Sequence, residues 1–250
     1  MCGRYASFRE AQDLADAFDV EEITERAGLL EASYNVAPTD GVRIVLDRAP
    51  KPTDGADTDA TSAPVRREMH VARWGLVPGW AKDLTVGSRM FNARSDSLAA
   101  KPAFTKSLRT RRCVVVADGY YEWLKEEVPG QTKPRRTPFY IHRSDGAPLA
   151  FAGLYAWWRD PAKDPDDPDR WVLSTTIVTE DARGGLEQIH SREPVVLSQE
   201  STRFWLDPAI TAPDEALAAL TIPTPPLRWH EVSPRVGSVQ NNDANLTHPV

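Results

Sequence analysis

The chain has 250 residues, a formal net charge of −6, 41% hydrophobic residues and two cysteines. No run of about 18 apolar residues occurs, so no membrane-spanning helix is predicted, and the N-terminus lacks the basic-then-apolar layout of a secretory signal. Cys2 and Cys113 are far apart and outside any CxxC, which argues against a disulfide framework or a thiolate metal site and points to the cytoplasm.

The chain opens MCGRYASF. A small residue behind the initiator Met favours removal of Met1, which leaves Cys2 with an α-amine and a thiol on one carbon. Their ordinary pKa values, roughly 7.7–8.0 and 8.5, leave both partly unprotonated near neutrality. A 1,2-aminothiol condenses with an aldehyde to a five-membered thiazolidine. On this stretch alone the alternative, that Cys2 has no chemical role, stays open. SFRE (7–10) has the form of a capping box, and Ala11, Leu14, Ala15 and Phe18 at i, i+3, i+4 and i+7 predict a short amphipathic helix behind it.

VRIVLDR (42–48) reads as a strand, followed by a Pro/Asp/Thr/Ala tract (49–64) with no core-forming pattern, taken with residue 65 as a mobile hairpin insertion. REMHVARWGLVP (67–78) is its returning strand. A basic helix is predicted within 97–111, then strands at 113–124, 138–143, 149–158, 171–178 and 227–239, with a surface loop at 159–169. Short helices fit 200–206 and 213–220. Strands dominate without alternating with helices, so the prediction is an α+β single domain spanning 1–250, around a closed or half-closed antiparallel β-barrel.

Charge is unevenly spread. Between Arg66 and Arg112 stand eleven basic residues and three acidic ones, which leaves the remainder of the chain strongly acidic. That polarisation suits a basic groove for phosphates, with solvated surface charge as the other reading.

Four short segments are polar where a core is expected. FNARSD (91–96) supplies an amide able to orient a reactive group and a guanidinium able to hold a phosphate. In ADGYYEWL (117–124), Glu122 sits among aromatics: buried, it is a general acid or base with a raised pKa, and solvent-facing it is an ordinary strand residue. His190 precedes an apolar run in EQIHSREPVVL (187–197). WGLVPGWA (74–81) places Trp74 and Trp80 around a Pro-Gly turn, as core or as base-stacking platforms.

Taken in order, MCGRYA, YNVAPTD (34–40), WGLVPGWA, FNARSD, CVVVADGYYEW (113–123), AFAGLYAWW (150–158), STTIVTEDA (174–182), IHSREPVVL (189–197) and VSPRVGSVQNND (232–243) resemble the SRAP family, the SOS-response-associated peptidases or abasic site processing proteins. The pieces span essentially the whole chain. The resemblance implies the SRAP fold, a barrel-like core with peripheral short helices. It also implies capture of abasic sites in single-stranded DNA during the damage response, by a thiazolidine between Cys2, freed of Met1, and the lesion's aldehyde.

By motif, Cys2 is the nucleophile and Asn92 orients it. Glu122 shuttles a proton in sugar ring opening and closure, and His190 assists acid–base steps and reversal. Arg4 and Arg94 fall where the family holds phosphates, Asn35, Pro38 and Trp74 shape the DNA site, and the Trp74–Trp80 turn resembles a wedge between bases. The same residues suit an N-terminal-nucleophile cysteine peptidase that cleaves at least its own Met1–Cys2 bond, a weak β-elimination lyase, or, with Cys2 inert, a non-covalent single-strand DNA-binding scaffold. No metal or cofactor is implied, and the protein is expected to be a monomer, associated with the nucleoid when on DNA.

Two departures stand out. The family usually has Glu where this chain has Asp96, and its HxRMP reads HSREP here, with Glu193 in place of Met. A carboxylate three residues from His190 is expected to raise that imidazole's pKa if the side chains approach.

Overall fold

The structure is a computed structural model that describes residues 2–48 and 64–250. The predicted insertion at 49–65 falls mostly outside the described residues, as does Met1. In chain order the elements are β1 (Tyr5–Ser7), α1 (Ala11–Ala17), β2 (Glu22–Ile23), α2 (Glu25–Leu29), β3 (Ser33–Val36), β4 (Gly41–Arg48), β5 (Arg66–Trp74) and β6 (Asn92–Arg94). There follow α3 (Pro102–Thr110), β7 (Arg112–Ala117), β8 (Gly119–Glu126), β9 (Arg135–Arg143), β10 (Leu149–Arg159), β11 (Trp171–Asp181), β12 (Arg192–Pro194), α4 (Gln199–Leu206), α5 (Pro213–Ala218) and β13 (Leu227–Glu231).

The architecture is α+β, as predicted. Strands β11, β10, β7, β4 and β5 pair in succession, and β5 then returns to β11, closing a five-stranded barrel. The four pairings along the path are antiparallel; the closing one, Ser174↔Arg73 and Thr175↔Trp74, is parallel. Closure leaves these strands no open edge. A second sheet runs β13-β9-β8-β1-β3.

Period-two alternation divides the barrel strands between two cores. Val45, Val114, Val116, Ala150, Ala152 and Leu154 face outward against the buried stripes of the helices, among them Leu14, Phe104, Leu108 and Trp205. Ile44, Leu46, Cys113, Val115, Phe151 and Ile177 face inward, where Cys2, Tyr5, Tyr120 and Ile141 of the second sheet's side join them.

Several boundaries differ from the sequence reading. The stretch 113–124 is two strands in two sheets, broken at Asp118. That carboxylate accepts the backbone N–H of Phe8 at 2.7 Å and of Arg9 at 3.2 Å, and the Arg9 side chain at 2.6 Å. Gly119 follows because the ring of Tyr140 occupies the space a Cβ would need. The predicted capping box is absent: Ser7 belongs to β1, α1 starts from Glu10 with no side-chain cap, and Asp118 takes the amides just ahead of the helix. The strand predicted to reach residue 78 stops at Trp74, where Gly75 turns at φ +125° against the backbone of Gly87. The strand predicted at 227–239 ends at Glu231, and Pro234–Gly237 is a 3-10 turn.

Candidate active site

Cys2 is fully buried, against Tyr5, Trp74, Tyr120 and Ile189 in the inward-facing core. Its thiol donates to the Arg4 carbonyl at 3.9 Å. Its carbonyl accepts the Asn92 side-chain N–H at 2.7 Å. Asn92 stands at the start of β6, which lies parallel to β11 with Ile177↔Asn92 and Thr179↔Arg94 in register. The other amide atom, Asn92 Oδ1, is buried with no hydrogen-bond partner among the described residues. A buried acceptor without a partner is costly, and is common where a substrate completes the site.

Glu122 is only 5% exposed, so the solvent-facing alternative falls away. Alternation along β8 turns Tyr120 toward the inward-facing core and Tyr121 to the opposite cluster, where its hydroxyl donates to the Tyr34 carbonyl. Burial raises the pKa of Glu122, opposed in part by the nearby His190. The Cys2 thiol is pushed well above its ordinary range, first by burial and then by the charge of Glu122. The thiol and the carboxyl therefore share an environment that favours the protonated form of each.

His190 lies on the loop joining β11 to β12, whose Leu186 and Ile189 pack into the Cys2 core. His190 Nδ1 lies 3.0 Å from the Arg192 backbone nitrogen and 3.1 Å from the Arg192 carbonyl oxygen, which together orient the ring. Glu193, able to raise the His190 pKa only on close approach, has its ion pair with Arg183 and lies in register with Glu180.

The residues expected to meet DNA divide by exposure. Trp80 is 67% exposed on the Pro78–Ala81 turn, and Arg94 is exposed two residues beyond Asn92, paired with Asp96. Trp74, in contrast, is fully buried, with its indole N–H on the Phe91 carbonyl at 2.9 Å and its ring against Tyr5. It shapes the site from beneath, and the wedge reading for the pair rests on Trp80 alone.

Arg4 reaches Asn35 Oδ1 at 2.7 Å and the Val236 carbonyl at 2.8 Å. Asn35, nearly buried, gives its amide hydrogens to Ser238 and Asn241. Together they bind the 236–241 segment of the resemblance motif to the N-terminus. Pro38 is half-buried in a turn whose next residue, Thr39, sits at φ +86°. A β-branched residue there is strained, and hydrogen bonds from Thr39 N–H to the Trp74 carbonyl and from Arg73 to the Thr39 carbonyl hold it.

Residue-by-residue reading missed Asp118, which fixes the crossing between sheets, and Arg192, whose backbone orients the His190 ring. Both signals are tertiary. Each becomes legible only when the hydrogen-bond partners are known.

The barrel's inward core thus buries a cysteine at position 2, its carbonyl held by the Asn92 amide, in the neighbourhood of a buried carboxyl and an imidazole. The family model of the SOS response associated peptidase (SRAP) matches residues 1–239. The chain belongs to that family. Among its relatives, the abasic site processing protein YoaM of Bacillus subtilis is 33% identical over 98% of this chain and 97% of its own length. YedK of Escherichia coli, of the same description, is 31% identical over the whole of both chains. HMCES of Mus musculus, also described as an abasic site processing protein, is 30% identical over all of this chain and 76% of its own. A crystal structure of a Bacteroides thetaiotaomicron protein shares the fold, with a TM-score of 0.76 at 22% identity over the whole of both chains.

Proposed function

We propose that this chain processes abasic sites by trapping them covalently in single-stranded DNA, acting as a monomer without metal or cofactor. The observation that carries the reading is the pairing of Cys2 with Asn92 beside the buried Glu122. The names of the relatives YoaM, YedK and HMCES support abasic DNA as the substrate class.

With Met1 removed, the α-amine of Cys2 adds to the C1′ aldehyde and water leaves, giving an imine. The thiol then adds across the C=N bond: sulfur bonds to carbon, nitrogen gains a proton, and the thiazolidine closes. Glu122 accepts the C1′ hydroxyl proton and returns it to the ring oxygen as the sugar opens, then relays the thiol proton to the nitrogen as the five-membered ring forms. His190 assists these transfers and the reversal. Arg4 and Arg94 hold phosphates and Trp80 stacks on a base, while Asn35, Pro38 and Trp74 fix the floor and rim. β-Elimination from the imine gives weak lyase activity, and the same thiol and carboxyl serve cleavage of the Met1–Cys2 bond.

The test is a denaturing gel with single-stranded DNA bearing an abasic site. The parent forms a stable adduct. A variant with an extra residue retained before Cys2 forms none, because its amide nitrogen cannot make an imine. Cys2→Ala forms only an adduct that needs borohydride. A stable adduct from the extended protein at the parent's rate overturns the mechanism, and a salt-sensitive shift without any adduct favours the scaffold reading.

A further inference from the structure

β5 pairs with β11 only at Arg73↔Ser174 and Trp74↔Thr175; earlier along β5 the parallel partner is β2, at Glu68 and Met69. A cleft of about 800 Å³ lies at this seam, walled by α2, β5 and the start of β11. Its apolar lining includes Trp171 at 53% and Leu29 at 73% exposed, both left to solvent. The half-buried Trp157 stands opposite Leu173, and Arg159 stands opposite Trp171, so alternation along β10 and β11 brings both indoles to one face of the sheet. Large apolar groups gathered in a polar-rimmed cleft, unlike single exposed ones, mark a binding surface.

Arg73 brings a guanidinium to the same cleft. Its Nη1 donates to the Thr39 carbonyl at 2.9 Å, its Nε is buried with no hydrogen-bond partner, and no carboxylate pairs with it among the described residues. The other charged groups of the lining are engaged at the surface or pair among themselves: Arg26 lies 3.8 Å from Asp169, Lys163 lies 3.6 Å from Asp167, and His70 meets Glu68 at 2.7 Å. Glu25 is the remaining carboxylate. Arg26, Arg73 and Lys163 thus outnumber Glu25 and Asp169 on the lining of a chain whose net charge is −6, which suits an anionic occupant. Indole faces beside a guanidinium with open donors are the chemistry that holds a nucleotide, because the base stacks and the phosphate takes the N–H groups.

The cleft begins at the rim of the Cys2 site. Thr39, on its lining, follows Pro38, and Trp74, next to Arg73, packs against Tyr5 in the core that contains Cys2. Along β11, Ile177 lies in register with Asn92, and Trp171 begins the strand about 20 Å away, within reach of a few nucleotides of extended chain. We propose that this cleft is a second nucleotide subsite, filled by an intact nucleotide of the same single strand a few positions from the lesion, with its base against the Trp157–Trp171 face and a phosphate on Arg73. The register on the strand rests on the abasic-site reading; the nucleotide chemistry of the cleft does not.

The experiment follows single-turnover crosslinking against protein concentration on two abasic strands, one with a single nucleotide on each side of the lesion and one with six. The parent is compared with Trp171→Ala, which removes an exposed side chain, and with Arg73→Gln as an independent second variant. On the long strand, Trp171→Ala is expected to raise the half-saturating concentration roughly five- to a hundred-fold, the range for one stacked base, with the maximal rate unchanged. On the short strand neither value moves. Arg73→Gln lowers the salt slope by about 0.7 on the long strand alone. Equal changes on both strands, or none on either, overturn the proposal. Absence of any adduct from the parent overturns the abasic-site reading instead, and filter binding of an undamaged twelve-nucleotide strand then decides the subsite: weaker binding by Trp171→Ala supports it, and unchanged binding overturns it.

Discussion

The Asn92 side chain donates to the Cys2 carbonyl at 2.7 Å, a bond spanning ninety positions of the chain. It fixes the backbone of Cys2, and the Oδ1 of the same amide is buried without a partner among the described residues.

Replacing Asn92 by Ala removes that hold. A hydrogen bond of this kind contributes about 0.5–1.5 kcal/mol net, so a crosslinking rate slower by roughly three- to ten-fold is expected from positioning alone. Affinity for intact single strands should stay at the parent's level in a filter-binding titration.

Glu122→Gln is expected to slow single-turnover crosslinking by about 10²–10⁴, the usual worth of a positioned acid or base, with DNA affinity kept. A rate within a few-fold of the parent would show that the carboxyl moves no proton.

Stability should also respond to pH in a defined direction. Burial raises the folded-state pKa of both Glu122 and Glu193, so the folded protein binds these protons more tightly than the unfolded chain. Their contribution is fully present below the ordinary carboxyl pKa of about 4.3 and is lost as pH rises through the folded values. For Glu193 that window runs up to about 7. Thermal melts of Glu193→Gln should show a flatter pH dependence between 5 and 8 than the parent.

Arg94→Glu should weaken single-strand binding and reduce the salt slope by about 0.7 for the lost phosphate contact. Because Arg94 and its partner Asp96 are both exposed, the melting temperature should hardly move. A melting temperature that drops while the slope stays the same would make the pair structural.

The two tryptophans of the 74–81 turn should separate cleanly. Trp80→Ala is expected to cost about 1–3 kcal/mol of single-strand affinity, the range for loss of one stacked base, without loss of stability. Trp74→Ala opens a cavity in the inward core and should cost about 3–5 kcal/mol of folding stability in a urea titration.

Much of this protein is local enough to read from its sequence. Apolar alternation located β4, β10 and β11 close to their observed bounds, since each of these barrel strands has one face in each core. The ordered motifs around Cys2, Asn92, Glu122 and His190 carried the site, because reactive residue types are informative wherever they fall. What required the tertiary structure was every feature resting on a distant partner. The 113–124 run looks continuous because both halves are apolar. It breaks only because Asp118 finds the amides of Phe8 and Arg9. Ser7 and Glu10 fit a capping box locally, yet pairing with β3 and β8 claims the N-terminal strand first. Composition could not choose whether Glu122 faces water or core. Its neighbours Tyr120 and Tyr121 fall into opposite clusters, and the barrel closed by β5 on β11 determines which of those contains Cys2. Sequence alone thus determined which groups are available for chemistry, and the long-range pairings decided which are buried together, because hydrogen-bond satisfaction and desolvation depend on partners far away along the chain.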